Sequence, residues 1–322
     1  EALVDFRRAS KFRPNDPDLK RKLQQCEKAV RIQKFEAALA VPEEEVVPEY
    51  TKVNPADILV DDSYEGCRMH VDEATGRDAI TLDFVMAMLE EYKQQKSIHR
   101  RYAYAIILRC LEILRELPNV VDITVDEGAH LTVCGDVHGQ FYDLMNIFDL
   151  NGFPSESNPY LFNGDFVDRG SFSTEVILTL MAFKCLYPNH LHLARGNHES
   201  NSMNKIYGFE GELQAKYSTQ MCSVFREVFC WLPLGHVINR KAFVVHGGLF
   251  SSDGVTLADL QAFDRNREPP DQGLMCEMLW SDPMSDAGRS PSKRGVAIQF
   301  GPDVTKQFLE TNNLELVIRS HE

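Results

Sequence analysis

Five short groups of polar residues have types and spacing that suit metal-dependent chemistry. They are GDVHG at residues 135–139, GDFVDRG at 164–170, GNHE at 196–199, HGG at 246–248 and RSHE at 319–322. Asp, His and Asn side chains without Cys suit divalent ions of the Mn, Fe or Zn kind, bound by oxygen and nitrogen together. These donors outnumber what one four-coordinate ion needs, so a pair of ions about 3.5–4 Å apart with one shared carboxylate would use them all.

Each group taken singly has a plain structural explanation. A Gly-Asp pair at a strand end is usually a turn, and a lone His or Asn is more often a hydrogen-bonded polar residue than a ligand. Each group, however, follows a short apolar segment of strand length, at residues 131–134, 160–162, 191–193, 242–245 and 316–318. Because ligands of open α/β sheets collect at the carboxyl ends of strands, the five groups are predicted to converge on one site.

Helical patterns separate these strands and predict an α/β fold with a central sheet. Two stretches of this kind are prominent, at residues 171–186 and 209–232. Before the first strand, apolar residues at helical spacing predict two more helices. One begins after Thr81, which can act as its cap, and the other ends before Pro118.

The composition describes a globular protein and excludes several classes. The chain has 322 residues, of which 43% are hydrophobic, and a net charge of -14. The apolar content excludes extensive disorder, the acidic charge argues against a general nucleic-acid binder, and no apolar run reaches the roughly 18 residues of a membrane span. The eight cysteines are scattered without a CxxC pair, which indicates reduced thiols in a cytoplasmic or nuclear protein.

The distribution of charge and proline predicts three regions. Residues 1–40 are mildly basic and helical, with four residues at the spacing of a tetratricopeptide repeat, although such residues are common on any helix face: Ala2, Phe6, Ala9 and Pro14. This region is expected to be the end of a repeat array and a connecting helix. Residues 41–80 are acidic and contain several prolines, which predicts a linker. Residues 81–322 form the predicted catalytic domain.

GDxHG, GDxVDRG, GNHE and HGG in this order resemble the phosphoprotein phosphatase family of metallophosphoesterases. SKRG at residues 292–295 and RSH at 319–321 resemble its remaining active-site motifs, so the resemblance extends from about Thr81 to the end. It implies an α/β (α+β) metallophosphoesterase fold, with a central β-sandwich flanked by helices. Because the family continues through further strands, we expect a domain truncated at its C-terminus, poorly folded or weakly active towards a chromogenic aryl phosphate with Mn²⁺.

The resemblance implies two metal ions. Asp165 would bridge the two ions. Asp136 and His138 would complete the binding of the first ion, and the second would also be bound by three further residues: Asn197, His246 and His321. A hydroxide between the two metals would attack phosphorus directly, without a phosphoenzyme. Mn²⁺ is expected in vitro, with Fe, Zn or Mg as alternatives.

Other residues would act on the substrate if the resemblance holds. His198 would protonate the departing Ser or Thr oxygen, and Asp168 would orient His198. The phosphoryl group would be bound by Arg169, Asn197 and Arg294. Two aromatic residues, Tyr207 and Trp280, would either lie near the substrate groove or serve only in packing.

The implied function is that of a metal-dependent serine/threonine protein phosphatase acting on phosphoproteins in the cytoplasm and nucleus. Chaperone binding is expected only through tetratricopeptide repeats that lie mostly outside this sequence. Two alternatives stay open: a metallophosphoesterase directed at nucleotides, and a chaperone-associated adaptor or scaffold whose phosphatase fold is degenerate. The SKRG motif disfavours the first, and the intact catalytic positions disfavour the second.

Overall fold

The computed structural model describes Lys22 and residues 47–321. By its contacts the chain divides into two compact units, Glu1–Val47 and Pro48–Glu322, and the elements given below belong to the second. Apart from Lys22, the helices and the tetratricopeptide-like pattern predicted for residues 1–40 lie outside the described residues. The same is true of the acidic run at residues 43–45.

Helices alternate with short strands in the second unit, as the sequence patterns predict. The described helices are α1 (Leu82–Lys93), α2 (Arg100–Arg115), α3 (Phe141–Asn151), α4 (Ser173–Leu186), α5 (Asn201–Tyr207), α6 (Phe209–Lys216), α7 (Thr219–Phe229), α8 (Leu257–Gln261), α9 (Leu274–Trp280) and α10 (Pro302–Asn312). The described strands are β1 (Val120–Ile123), β2 (Thr132–Cys134), β3 (Tyr160–Phe162), β4 (Leu191–Leu193), β5 (Gly235–Ile238), β6 (Ala242–Val245), β7 (Asp282–Pro283), β8 (Arg289–Pro291), β9 (Ile298–Phe300) and β10 (Leu316–Arg319).

Two sheets form the centre of this unit. One has the strand order β1-β5-β6-β10, in which β5 and β6 are antiparallel while β1 runs parallel to β5 and β10 parallel to β6. The other is the parallel sheet β2-β3-β4, in which Tyr160 pairs with both Thr132 and Leu191. A small third sheet has the order β7-β9-β8.

The two larger sheets pack face to face. Leu161 of β3 lies in one buried cluster with Val244 of β6 and Ile123 of β1, so these side chains fill the space between the sheets. Side chains alternate between the two faces of a strand, so the residues directly before and after Leu161 in the sequence face away from the other sheet. They belong to the buried cluster formed with α1 to α4. The residues directly before and after Val244 belong to the buried cluster formed with α9 and α10. The predicted β-sandwich flanked by helices is therefore confirmed.

Most predicted element boundaries agree with the structure. Strands β3, β4 and β6 occupy the predicted residues, and the Thr81 side chain caps α1 by accepting a hydrogen bond from the Phe84 N–H. The stretch at 209–232, predicted as one helical stretch, is two helices, because Tyr217 leaves helical geometry and the Ser218 side chain caps α7. Strands β1, β5 and β7 to β9 were not predicted, since each is short and interrupted by polar residues, Gly or Pro.

Residues 48–80, the part of the predicted linker that lies in the second unit, are largely irregular. They contain two 3-10 helices, Glu49–Lys52 and Pro55–Asp57. The backbone N–H groups of Glu49 and Tyr50 donate to the Glu227 carboxylate at 2.9 and 3.0 Å. Apolar side chains along this segment also pack on the core: Tyr50, Val53, Ile58, Val60, Tyr64, Cys67 and Ile80. These residues are therefore packed structure and not a solvated spacer, while the three region boundaries stay predictions.

Two further findings bear on the composition analysis. None of the described helices combines the length and the apolar character needed to cross a membrane. All seven cysteines in the described part of the chain are free thiols, in agreement with the scattered spacing in the sequence.

Candidate metal and catalytic site

The five polar groups follow β2, β3, β4, β6 and β10, as predicted. Within them, five described residues other than glycine have a left-handed backbone: His138 (φ 45°), Asp165 (52°), Asp168 (70°), Arg169 (66°) and His321 (78°). L-residues adopt this conformation rarely and at an energetic cost, and such residues cluster at functional sites. Five of the residues that the sequence selects for chemistry therefore have a strained backbone.

His138, Asp136 and Asp165 form the first group of potential ligands. His138 Nε2 lies 3.5 Å from Asp165 Oδ2 and 3.9 Å from Asp136 Oδ2. The other ring nitrogen, Nδ1, lies 2.9 Å from the carbonyl oxygen of Val167, to which it can donate. Burial lowers the pKa of His138, which favours a neutral ring. The Nε2 lone pair is then directed towards the two carboxylates and is available to a cation.

His246 and Asn197 form a second group on the other side of Asp165. His246 Nε2 lies 2.8 Å from Asn197 Oδ1 and 3.4 Å from Asp165 Oδ1, while its Nδ1 lies 2.8 Å from the Asn163 carbonyl oxygen. Burial opposes a charge on this ring, but the carboxylates of Asp165 and Asp136 raise the pKa of His246 to about 9. The surroundings thus stabilise a positive charge at this position, which a metal ion can supply in place of a proton.

Asp165 belongs to both groups. Its Oδ2 faces His138 and its Oδ1 faces His246, so the two oxygens of one carboxylate are directed to different imidazoles. The side chain is 1% exposed, and Oδ1 also accepts a hydrogen bond from the His198 backbone N–H at 2.9 Å. Burial alone would favour the protonated acid, yet His246 holds the pKa of Asp165 well below its usual range. The oxygens of Asp136 also face both imidazoles, at 3.9 Å from His138 Nε2 and from His246 Nδ1, so Asp165 is distinguished as the bridging candidate by its shorter distances.

His321 supplies the observation that best tests the fit of a metal. Its Nδ1 lies 3.0 Å from Asp282 Oδ1, and its ring centroid lies 5.2 Å from that of His246. Its Nε2 is buried and has no hydrogen-bond partner. Burial, with the nearby His246, lowers the pKa of His321 to about 3 and so keeps the ring neutral. An unpartnered buried ring nitrogen fits a metal ligand, because a buried polar atom without a partner is otherwise costly.

A histidine–aspartate pair lies beside the ligand groups. His198 Nδ1 lies 2.8 Å from Asp168 Oδ2, and both side chains are almost fully buried. The His198 ring is 4.7 Å from that of His138, between centroids. With Nδ1 donating to Asp168, the His198 Nε2 accepts a hydrogen bond from Arg169 Nη2 at 3.2 Å. The carboxylate thereby fixes the ring orientation and leaves Nε2 facing the site.

Tyr207 lies in this half of the site. Its ring is 5.0 Å from the His198 ring and 5.6 Å from the Arg169 guanidinium carbon. The side chain is 45% exposed, so it is not simply a packed aromatic residue. Tyr207 therefore lies beside the acid pair, and its role at a substrate groove stays a prediction.

Arg294 and Trp280 lie at the other end, beside His321. Arg294 Nε lies 2.5 Å from Asp282 Oδ2, and its Nη2 donates to the His321 carbonyl oxygen at 2.9 Å. The Trp280 ring is 5.7 Å from the His321 ring. Among the described residues no contact joins Arg294 to Arg169, so the two-arginine phosphoryl clamp stays a prediction.

Two buried carboxylates organise the site without having been assigned a role from the sequence. Asp282 accepts hydrogen bonds from Arg294, Arg319 and His321. Glu199 accepts three backbone N–H groups at 2.8 Å, from Asp165, Phe166 and Gly196. Glu199 belongs to the GNHE group, so the sequence predicted that it lies at the site but did not indicate its hydrogen-bond partners. Asp282 lies outside the polar groups, and the sequence signal for it is only an acidic residue between Ser281 and Pro283.

Glycines permit the loops to approach one another closely. A Cβ atom on Gly196 would overlap the backbone N and Oδ1 of Asp165. A Cβ on Gly164 would lie 2.6 Å from the Gly196 Cα, and Gly164 also has φ of +90°. The loops after β3 and β4 therefore touch through backbone atoms at the bridging carboxylate.

Two family descriptions match different parts of the chain. Residues 129–322 match the calcineurin-like phosphoesterase family. Residues 23–122 match a region described as the PPP5 TPR repeat region. This match begins after the four tetratricopeptide-like residues identified in the sequence and includes α1 and α2.

Individual relatives are similar over nearly the whole chain. Serine/threonine-protein phosphatase 5 of Solanum lycopersicum is 51% identical over 99% of the chain, which covers 69% of the tomato protein. Serine/threonine-protein phosphatase 5 of Homo sapiens is 54% identical over 100% of the chain, which spans 63% of the human protein. A solved serine/threonine phosphatase structure from Saccharomyces cerevisiae is 43% identical, with a TM-score of 0.73 over 75% of this chain and 77% of that one.

We expect Gly196→Ala to lower Mn²⁺ affinity about 10–100-fold, the range for changes beside metal ligands, because the added Cβ displaces Asp165. Calorimetric titration with Mn²⁺ measures this. Gly211→Ala is the matched control, since a Cβ at Gly211 meets no atom within 4 Å and should leave affinity unchanged. Equal affinities in the two variants would contradict the close approach.

Asp165→Asn tests the bridge directly. We expect occupancy of both metal positions to fall together, because both groups lose the same charged oxygens. Elemental analysis of the protein after equilibration with Mn²⁺ gives the number of ions per chain. The exposed Asp143→Asn serves as the control. A variant that keeps one full equivalent of metal would refute bridging by Asp165.

Proposed function

We propose that this chain, which belongs to the calcineurin-like phosphoesterase family, hydrolyses phosphoserine and phosphothreonine in proteins with the help of two divalent metal ions. The observation that supports this most is the pair of ligand groups that share Asp165 directly beside the His198–Asp168 pair. The relatives that match the chain over its full length are named serine/threonine-protein phosphatases.

The family implies a dimetal centre, and the described residues offer ligands for it. Asp136, His138 and Asp165 would hold one ion, and Asp165 would share the other with Asn197, His246 and His321. Such ions, when bound, supply Lewis-acid polarisation of water and phosphoryl oxygens. We propose Mn²⁺ as the ion that supports activity in vitro, with Fe, Zn or Mg as alternatives, since a mixed set of carboxylate oxygen and imidazole nitrogen donors can bind each of these ions.

His198 would deliver the proton that the leaving group needs. When the phosphorus–oxygen bond to the serine or threonine side chain breaks, the departing oxygen requires a proton from Nε2. Asp168 Oδ2 lies 2.8 Å from Nδ1, so it orients the ring with Nε2 towards the leaving group. Arg169 contacts the same Nε2 in this structure and must move off it when His198 is protonated, because two donors cannot face each other.

Arg169, Arg294 and Asn197 are proposed to bind the phosphoryl oxygens. Arginine suits this role because its planar guanidinium group binds phosphate through two parallel hydrogen bonds. Arg169 already lies at His198 and Tyr207, at the place where the leaving group would be. Arg294 is held by Asp282, which fixes its position beside the second ligand group. These assignments also place Tyr207 and Trp280 at the edges of the substrate groove.

The whole protein's partners and location are part of the proposal. The matched repeat region supports binding of other proteins through tetratricopeptide repeats, for which we propose a chaperone, and phosphoproteins as substrates. We further propose a location in the cytoplasm and nucleus, where the free thiols would stay reduced.

A choice of substrates tests the proposal against its nucleotide-directed alternative. With Mn²⁺, we expect the chain to hydrolyse a phosphoserine or phosphothreonine peptide with a kcat/KM well above that for a dinucleotide polyphosphate. Released phosphate is measured by a colorimetric assay. Preference for the dinucleotide would overturn the assignment, and loss of both activities with bound metal would favour an adaptor with a degenerate site.

His198→Asn tests the assignment of the acid. We expect metal content to be retained and kcat on a phosphoserine peptide to fall about 10²–10⁴-fold, the usual contribution of a general acid. His70→Asn, at an exposed histidine outside the site, should leave kcat unchanged. Turnover close to normal in His198→Asn with both metals bound would show that another group supplies the proton.

A further inference from the structure

We infer that Asn204 of α5 is a positioning residue for proton transfer by His198, an inference that rests on the proposed phosphatase function. Its side-chain Nδ2 donates two hydrogen bonds, one to Asp168 Oδ2 at 2.9 Å and one to the His198 carbonyl oxygen at 2.7 Å. One amide group thus contacts both members of the acid pair. Nothing in the polar groups of the sequence indicates this role, because Asn204 lies five residues beyond GNHE.

The two hydrogen bonds join separate loops. Asp168 lies in the loop after β3, and His198 lies in the loop after β4. The amide hydrogens of Asn204 have a fixed relative geometry, so they set the position of the carboxylate relative to the backbone that bears the imidazole. Asn204 itself is 7% exposed, and its position on a helix limits its movement. The 2.8 Å contact between His198 and Asp168 therefore depends on this helix.

The Asp168 carboxylate requires such donors. It is 0% exposed and accepts hydrogen bonds from His198, from Asn204 and, through Oδ1, from the Phe209 backbone N–H at 3.0 Å. A buried carboxylate that loses a donor turns towards another partner. It then no longer holds the His198 ring in the orientation that directs Nε2 to the leaving group.

Helix α5 also holds the arginine beside this pair. The Arg169 backbone N–H donates to the Tyr207 carbonyl oxygen at 3.1 Å, at the end of the same helix. The three residues on the leaving-group side of the site, His198, Asp168 and Arg169, are therefore all bonded to a helix of seven residues. The hydrogen bonds described for the Asn204 side chain go to Asp168 and the His198 backbone and not to a metal-ligand side chain. Because the His198 backbone N–H also donates to Asp165, bound Mn²⁺ must be measured to separate an effect on the acid pair from an effect on metal binding.

This separation gives a readout that a purely structural role would not produce. A leaving group that is a weak base departs without a proton, whereas a strongly basic oxygen needs the general acid. Loss of acid positioning should therefore slow the hydrolysis of phenyl phosphate, whose phenol resembles a tyrosine side chain with a pKa of about 10, more than that of p-nitrophenyl phosphate. A defect in metal binding or folding would slow both alike.

The experiment compares Asn204→Leu, which keeps approximate size and removes both donors, with Asn201→Leu as the matched control. Asn201 begins the same helix and borders the same cavity, of about 170 Å³, and no side-chain hydrogen bond is described for it. Both variants and the unsubstituted chain are assayed with Mn²⁺ on the two aryl phosphates and on a phosphoserine peptide. Bound Mn²⁺ per chain and urea unfolding are measured in parallel.

For Asn204→Leu we expect kcat on phenyl phosphate and on the peptide to fall about 10²-fold, at the lower end of what a general acid contributes, with a much smaller fall on p-nitrophenyl phosphate and unchanged metal content. Asn201→Leu should behave as the unsubstituted chain. Equal losses on both aryl phosphates, or no loss relative to Asn201→Leu, would overturn the inference.

A second substitution covers the case in which Asn204→Leu does not fold. Asn204→Ser retains one hydrogen-bond donor, whereas Asn204→Ala retains none. Asn204→Ser should therefore show a higher ratio of phenyl phosphate activity to p-nitrophenyl phosphate activity than Asn204→Ala. Equal ratios in the two variants would overturn the inference. The aryl phosphate comparison does not depend on a protein substrate. If the unsubstituted chain hydrolyses aryl phosphates but not the peptide, the proposed protein phosphatase function fails while the role of Asn204 is still decided.

Discussion

The position of the Asp165 carboxylate is the constraint on which the rest of the site depends. Its two oxygens face His138 and His246, and its backbone is held in a left-handed conformation with φ of 52°. Glu199 maintains this conformation by accepting the N–H groups of Asp165, Phe166 and Gly196. A buried carboxylate such as that of Glu199 requires hydrogen-bond donors, and Glu199 takes them from both the loop after β3 and the loop after β4, so it joins the two loops. The cost of the strained backbone is offset by the hydrogen bonds that Glu199 makes.

The sandwich of two sheets places ligands from distant parts of the sequence around that carboxylate. Parallel strands β2, β3 and β4 end side by side, which places the first three polar groups together. His246 and His321 come instead from β6 and β10 of the second sheet, which are parallel neighbours. The cluster of Leu161, Val244 and Ile123 between the sheets is what brings these two sets of strand ends to one location. The hydrophobic core and the metal ligands are thus parts of the same arrangement.

The site has two halves, and one buried carboxylate organises each of them. Asp282 joins His321 to Arg294, and Asp168 joins His198 to α5 through Asn204. Each carboxylate is buried and accepts at least three hydrogen bonds, so neither can turn without leaving a polar group unpaired. The ligand half and the leaving-group half are therefore each preorganised, and Asp165 is the residue common to both through its hydrogen bond with the His198 backbone.

Much of this protein follows from the sequence by itself. Short apolar segments ending in Gly-Asp, Gly-Asn-His-Glu or His-Gly-Gly identify β3, β4 and β6 and the ligand types after them, because residue chemistry and strand length are local properties. Strands β1 and β5 and the partners of Asp282 and Asn204 were not predictable. They depend on contacts between residues far apart in the chain, such as Asp168 and Asn204, which are 36 positions apart. The break at Tyr217 was missed although its signal, the capping residue Ser218, is local. Tertiary packing alone decides which oxygen faces which imidazole, since that is set by the distance and angle between separate loops and not by the order of residues within one.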